Sequence, residues 1–406
     1  MFLPRPPCWR PRRADTILDH LIFTGRESVS SFSECERGFC PNILFRCRLL
    51  RQLTAPPGRK YIIGVVKRRG SSPGANSMKR KSIYLLFFIL LAFIILPIYS
   101  EAVKIVSWNV LNFPGSTGAA REAYFRMVIN KLNPDVLVIQ EMLSQTGVNQ
   151  FLSKVMNYTY PGKYAAAGFT DGPDTDNAMF YKKTTISYLT RKQIATDLRD
   201  ISVYGVKIIS GPGLNSEFKI CSVHLKSGTT SSDKVHREYE AKILRTYLNS
   251  LSSTSLFLVC GDLNSYSSSD PAFVELTESQ TDNDGRCKDP INKLGSWHDN
   301  SIFVKYHSQS SRATAFGGGA SGGLDDRFDL ILVPYSLSTV SKLVYKSGSY
   351  KAYGNDGLHF NKSVNYGTNS TVGTVIANAL YQASDHLPVV IELAPPSTLL
   401  VENGFR

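Results

Sequence analysis

Six places in the sequence set an ionisable or amide side chain at one end of an apolar run. They are Asn109 in VKIVSWNV, Glu141 in VLVIQE, His224 in FKICSVH, Asp262 with Asn264 in LFLVCGDLN, Asp329 in DLILV, and Asp385 with His386 in DHLPVVIEL. Carboxylates with amides suit a hard, oxygen-preferring cation such as magnesium. Two histidines with acidic companions suit general acid–base work on an ester. No Gly-x-Ser-x-Gly lies at a strand end, so a serine nucleophile is not indicated. Singly, an Asp after a strand is usually a turn residue or cap, and a lone His is usually structural. The set carries the reading. Its centre is Leu256–Asn264: five apolar residues, then Gly261, and then Asp262 and Asn264 two apart. If the strand persists, these two side chains share a side. A carboxylate there is costly unless a cation or donor meets it.

The elements that would place these groups alternate in type. Val103–Ser107 reads as a strand. Ala119–Leu132 reads as a helix, with Tyr124, Phe125, Val128, Ile129 and Leu132 at helical spacing, stopped by Asn133-Pro134-Asp135. Val136–Ile139 follows as a buried strand, so β-α-β order puts Asn109 and Glu141 on one sheet edge. A turn leading into a strand is expected over 171–183, and further strands over 201–209 and 218–223. A helix is expected over about 233–251, with a core stripe of Val235, Tyr239, Ile243, Tyr247 and Leu251. Its Lys234, Arg237, Lys242 and Arg245 read as a solvated face. The chain from Asn264 to about Asp299 reads as irregular. The glycine-rich stretch 314–326 lacks the Gly-Lys-Ser/Thr ending of a P-loop. With the stretch 354–369, it reads as a shaper of substrate choice. Cys221 and Cys260 sit in apolar runs and read as core thiols rather than a bridge.

The motifs VSWNV, VIQE, SVHLK, GDLN, RFDLILV and SDHLP span 103–393 in an order that resembles the endonuclease/exonuclease/phosphatase superfamily, the deoxyribonuclease I-like fold. That resemblance implies a four-layer α/β sandwich, with two packed mixed β-sheets flanked by helices, and metal-dependent cleavage of phosphate esters. It implies metal ligation by Glu141 with Asn109, and by Asp385 directly or through water. It implies that Asp262 orients or deprotonates a water, that Asn264 and His224 serve the phosphate or leaving oxygen, and that His386, supported by Asp329, stabilises the transition state. The expected ion is Mg2+, with Mn2+ or Ca2+ as alternatives. Asp329 is preferred over Asp325 and Asp326 because it directly precedes the apolar strand.

The chain has 406 residues and a formal charge of +13, unevenly placed. Residues 1–77 hold 14 Lys/Arg against 5 Asp/Glu, whereas 103–406 hold 29 against 27. The basic balance therefore says nothing about the main domain's partner. Residues 1–77 read as an extension without lasting period. At Met78 three basic residues precede an apolar run, Ile83–Ile98, that ends in Ser100-Glu101-Ala102. This is the order of a secretory signal, 78–102. The alternative is a membrane anchor through 82–98, for which the run is short. The expected layout is thus an upstream extension (1–77), a signal, a catalytic domain (103–394) and a tail (395–406). The protein is expected to be secreted or periplasmic and monomeric, with no stable membrane partner after signal removal. The leading expectation is an endonuclease acting on nucleic acid, with Lys226, Arg237, Arg312 and Arg327 as candidate phosphate contacts. The alternative is a sphingomyelinase-like enzyme acting on a phospholipid or other small phosphodiester. An inactive binding module is disfavoured, because every family acid, amide and histidine is present.

Overall fold

The computed structural model of the protein describes residues 102–172, 174–335 and 343–396, with four short strands nearer the N-terminus. Expectations for the rest of 1–77, for the export segment up to residue 101 and for the tail beyond 396 lie outside the described residues. The chain divides into two units, Met1–Ile98 and Tyr99–Arg406. In the first, His20–Phe23 pairs with Tyr61–Gly64 and Leu44–Arg46 with Val66–Arg68, both antiparallel. The sequence reading anticipated none of these four strands.

In the second unit, β1 (Val103–Phe113), α1 (Gly118–Leu132) and β2 (Val136–Met142) form the expected β-α-β unit, with β1 and β2 parallel. Asn133 stops α1 in the left-handed conformation, φ 47°. After α2 (Gln145–Phe151), β3 (Tyr164–Ala166) and β4 (Asp176–Lys182) extend this sheet. Then β5 (Ile186–Ile194), β6 (Ile201–Ile208) and β7 (Glu217–His224) run as an antiparallel meander. Helix α3 (Ser231–Asn249) returns the chain to β8 (Phe257–Asp262), parallel to β7. The remaining elements are α4 (Pro271–Thr277), β9 (Cys287–Lys288), β10 (Asp329–Pro334), β11 (Val344–Tyr345), β12 (Lys351–Ala352), α5 (Gly373–Ala383) and β13 (Val389–Ala394). One sheet has the order β11-β13-β1-β2-β4-β3, with β12 also on β13; the other is β9-β10-β8-β7-β6-β5.

Alternation of side chains along these strands builds the layers. Ile105, Val136, Val138, Ile220, Leu258, Cys260, Ile331 and Ile391 fill the space between the sheets. Their neighbours Val106, Trp108, Leu137 and Ile139 face outward onto Phe125 and Val128 of α1 and Leu380 of α5. Cys221, Val223, Phe257 and Val259 face outward onto Leu244 and Leu248 of α3 and Ala272 of α4. The result is helix, sheet, sheet, helix. Phe125 meets Trp108, Phe113 and Phe151 edge-on at 5.0–5.8 Å between centroids, each contact adding about 0.5–1.5 kcal/mol to plain burial. Cys221 and Cys260 lie on adjacent strands but face opposite layers, and both are free thiols.

The structure corrects two expectations. Helix α3 buries only part of its expected apolar stripe: Ile243, Tyr247 and Leu251 pack half-buried on the core, while Val235 and Tyr239 are 60% and 51% exposed. Its fully buried residues are Arg237, Glu240, Ala241, Leu244, Arg245 and Leu248. Arg237 lies 2.8 Å from Asp270, and Arg245 donates to the carbonyls of Glu275, Leu276 and Asp282 around the end of α4. Internal satisfaction of these charges makes the arginine face the inner one, which a count of apolar positions cannot see. Second, the stretch after Asn264 is not wholly irregular. Asp270 caps α4 and Pro271 opens it, an Asp-Pro start signal present in the sequence.

Candidate active site

The inward face of each central strand turns from apolar to polar at one end, and these polar ends converge. In β1 the inward series Ile105, Ser107, Asn109 closes on an amide; in β7 Ile220, Ser222, His224 closes on an imidazole; in β8 Leu258, Cys260, Asp262 closes on a carboxylate. Ladder pairing sets Asp329 opposite Asp262, and Asp262 beside His224. Two buried carboxylates placed side by side repel one another. His386 stands against both: its Nδ1 is 2.7 Å from Asp329 Oδ2 and its Nε2 3.7 Å from Asp262 Oδ2.

The rest of the cleft is tied to this core. Asn109 Nδ2 donates to Glu141 Oε1 at 2.8 Å and to Asp262 Oδ2 at 3.2 Å. Asn112 N–H donates to Glu141 Oε2 at 2.9 Å. His224 Nε2 lies 3.6 Å from Asp262 Oδ2 and 4.0 Å from Glu141 Oε1. The Asn264 backbone N–H caps Asp262 Oδ1 at 3.0 Å, while its side-chain amide donates to Leu225 O. Seven of the eight residues singled out from sequence therefore meet in one cluster. The eighth, Asp385, turns its Oδ2 to the Ala320 N–H at 2.7 Å, and its charge is felt by Glu141.

The backbone is bent to achieve this. Leu111, Asn112, Glu141 and Asn264 all have positive φ, between 47° and 62°, a conformation that side-chain-bearing residues adopt at a cost and that clusters at functional sites. Gly261, at φ 143°, is a close approach: a Cβ there would lie 1.9 Å from Val223 O.

Burial foremost, with the Asp385 charge, pushes the Glu141 carboxyl above its usual range. Burial likewise raises Asp262, with Asp329 and Glu141 adding to it and His386 pulling back. Burial lowers His224, reinforced by Arg199 and His386, so its ring is neutral near pH 7. Burial also works against the His386 imidazolium, but Asp329, Asp385 and Asp262 outweigh it and hold His386 protonated.

Several contributors were missed from sequence. Arg199 donates to Leu225 O and lies near enough to depress His224. Arg121, fully buried, donates to Val110 O, Leu111 O and Ala383 O, and so anchors the loop that grips Glu141. Gln309 touches His386 Nε2, and Ser308 Oγ donates to Asp329 Oδ2. Beneath the cluster, Gln140, Ser222 and Asn177 form a hydrogen-bonded chain joining the two sheets. Of these only Gln140 follows an apolar run, Val136–Ile139, and there the neighbouring Glu141 drew the reading; the others lie away from such strand ends.

The expected phosphate contacts are corrected. Arg237 and Arg327 are fully buried in pairs with Asp270 and Asp289, each at 2.8 Å. Arg312 is buried between the rings of Phe316 and Tyr381. Lys226 pairs with Asp233 at 2.9 Å. Asp326, read as a loop residue, is buried and 2.8 Å from His298, forming with Asp325 a second small cluster.

A divalent cation fits this donor set. The groups facing the cleft are hard oxygens and imidazoles, and the three described cysteines lie elsewhere. Asp329 Oδ1 and His224 Nδ1 are buried without a hydrogen-bond partner, and Glu141 carries a desolvated charge that a cation relieves.

A four-layer sandwich with an acid–histidine cleft at the sheet ends belongs to a class of phosphoester hydrolases. The sequence profile of the Endonuclease/Exonuclease/phosphatase family matches residues 106–386, and this chain is a member of that family. The family's members hydrolyse phosphoester bonds and depend on divalent metal. No curated protein sequence matches the chain. Among solved structures, Danio rerio TDP2 complexed with single-strand DNA product is similar at 15% identity, covering 72% of this chain and 99% of that one, with a TM-score of 0.46. The human Nocturnin catalytic domain with bound sulfate shows 16% identity over 73% and 95%, TM-score 0.46. A Bacteroides thetaiotaomicron member of the family shows 15% over 72% and 97%, TM-score 0.45. At these identities and scores the likenesses carry no functional weight.

Proposed function

We propose that the protein is a secreted, metal-dependent phosphodiesterase that cuts nucleic acid internally, using a water activated within the cleft. The observation that carries this reading is the contact set joining Asn109 and Glu141 to Asp262, and Asp262 through His386 to Asp329. Held by Glu141 and Asn109, a divalent cation, with magnesium as our first choice, would supply Lewis acidity to a phosphoryl oxygen. Asp262, whose raised pKa suits a base working near neutral pH, takes the proton from the attacking water. The water oxygen bonds to phosphorus, and the ester oxygen on the opposite side leaves. His386, protonated and held through Nδ1 by Asp329, faces the charge that grows on the phosphoryl oxygens. Asn264 and neutral His224 line the phosphate's other side, and a water returns a proton to the leaving oxygen.

One feature favours nucleic acid over lipid. Tyr266, two residues past Asn264 and four past the end of β8 at Asp262, meets the half-exposed ring of His298 edge-on at 5.1 Å. The His298 ring, beside a phosphate site, offers bases a stacking partner, worth about 1–3 kcal/mol per base. The test is an assay of the purified protein with magnesium against plasmid DNA, RNA and sphingomyelin, with and without excess chelator. Metal-dependent nicking of plasmid is expected; choline-phosphate release from sphingomyelin with intact plasmid reassigns the substrate to lipid.

We also propose that 78–102 is an export signal and that the exported protein begins near Val103. N-terminal sequencing of protein recovered outside the cell is expected to start there. Peptides from before Met78 in the exported protein refute this.

A further inference from the structure

The glycine-rich segment has no place in the chemistry above, yet it touches Asp385. Ala320 N–H donates to Asp385 Oδ2 at 2.7 Å. Ser384 spends its hydroxyl hydrogen on Asn109 O at 2.7 Å, and its oxygen is 3.4 Å from Asp385 Oδ1, so Oδ1 is the freer oxygen. The loop is pinned at both ends. Ser311 N–H donates to Asp385 O at 2.8 Å, and Ser310 Oγ donates to Ala320 O at 3.1 Å. The Arg312 guanidinium, 2% exposed, lies 4.3 Å from the Phe316 ring of the loop and 4.4 Å from the Tyr381 ring of α5.

The glycines have different reasons to be there. Gly317, Gly318, Gly322 and Gly323 have positive φ, which asks for glycine on backbone grounds. Gly319 does not have such a φ. A Cβ at 319 would stand 2.7 Å from Asp385 Oδ2 and 2.9 Å from its Cγ, and 2.9 Å from Leu111 Cδ1. A Cβ at 318 meets nothing within 4 Å. The glycine at 319 is therefore a matter of space for Asp385, whereas the one at 318 is a matter of backbone.

We propose that the segment Phe316–Gly323 is a clasp that sets the Asp385 carboxylate for the cation, with Gly319 as its positioning residue. The Ala320 N–H takes Oδ2, and Oδ1 is left to the cation or a water bound to it. This rests on the proposed cation at Glu141 and on Asp385 serving it directly or through water, as the family resemblance implies.

The test is Mn2+ binding to the full chain by titration calorimetry, with thermal unfolding in chelator as the check on folding. Gly319→Ala is expected to weaken Mn2+ affinity at least tenfold. Gly318→Ala, which strains the backbone without touching Asp385, is expected to change it less than about twofold. In an Asp385→Ala background, which removes the carboxylate and makes room, Gly319→Ala should add less than about twofold, the signature of two residues acting as one unit. Equal losses for the two glycine variants, or full loss from Gly319→Ala in the Asp385→Ala background, overturn the clasp. If Asp385→Asn and Glu141→Gln both bind Mn2+ like the parent protein, the underlying metal reading fails instead. If those two lose affinity while Gly319→Ala does not, the clasp alone fails.

Discussion

His386 is where the site's charges meet. Its Nδ1 proton is shared with Asp329, its Nε2 faces Asp262, and the Trp108 indole fixes its backbone carbonyl at 2.9 Å. Replacing it with Ala is expected to lower turnover by ~10²–10⁴ and also to lower the unfolding midpoint, because Asp329 and Asp262 lose their buried counter-charge. Turnover equal to the parent's removes the role. Charge and pH are linked here in one direction. Glu141, Asp262 and His386 all have folded-state pKa values above their ordinary ones. Each therefore contributes stability that is complete below its unfolded pKa and is lost as pH rises through the folded one. His224, shifted down from 6.5, acts only on the acid side of that value. In chelator, then, the unfolding midpoint should fall as pH rises above about 6.5, the ordinary histidine value, through loss of the His386 contribution, Asp262 having lost its share by about pH 7. Added magnesium should raise it more at the upper end, since ligation needs deprotonated carboxylates. A midpoint flat across that range, or a metal effect largest in acid, contradicts these assignments.

At the scale of elements, the site is what happens when core-facing alternation runs out of apolar residues. Ile105-Ser107-Asn109 and Leu258-Cys260-Asp262 are each one strand face read to its end. That is why the strand ends and the acids, amides and histidines on them were legible in sequence. The glycines were less so: nothing local says that Gly261 lies against Val223 O. Gly261→Ala should cost about 2–3 kcal/mol or more through clash and strain, measured as a drop in denaturant midpoint; an unchanged midpoint contradicts the packing described. Helix α3 shows the opposite limit. Periodicity located the helix but misplaced the centre of its buried face, because Arg237 and Arg245 find their partners, Asp270 and the α4 carbonyls, only in three dimensions. Asp270→Ala strands a buried guanidinium and should cost about 3–5 kcal/mol, whereas Arg237→Met with Asp270→Leu should cost far less. Equal costs for the single and double variants contradict a buried pair. The helices α2 and α5 went unread for a simpler reason: α2 spans only 7 residues, and α5 opens without a side-chain cap.

For the whole molecule, charge and chemistry separate along the chain. The unit from residue 103 onward is almost neutral, with 29 Lys/Arg against 27 Asp/Glu, so its net charge selects no partner. The two sheets meet over an apolar interior, and the Gln140–Ser222–Asn177 chain crosses between them directly under the cluster, so a shift of one sheet against the other moves Glu141 relative to Asp262. The proposed function rests on Glu141 holding a cation beside the base Asp262, which diffraction can see. Crystals soaked in Mn2+ and measured at the manganese absorption edge should show an anomalous peak within about 2.0–2.3 Å of a Glu141 carboxylate oxygen, beside Asp262 and absent from Glu141→Gln crystals. A peak confined to the His298–Asp325–Asp326 cluster, or none near Glu141, contradicts the account.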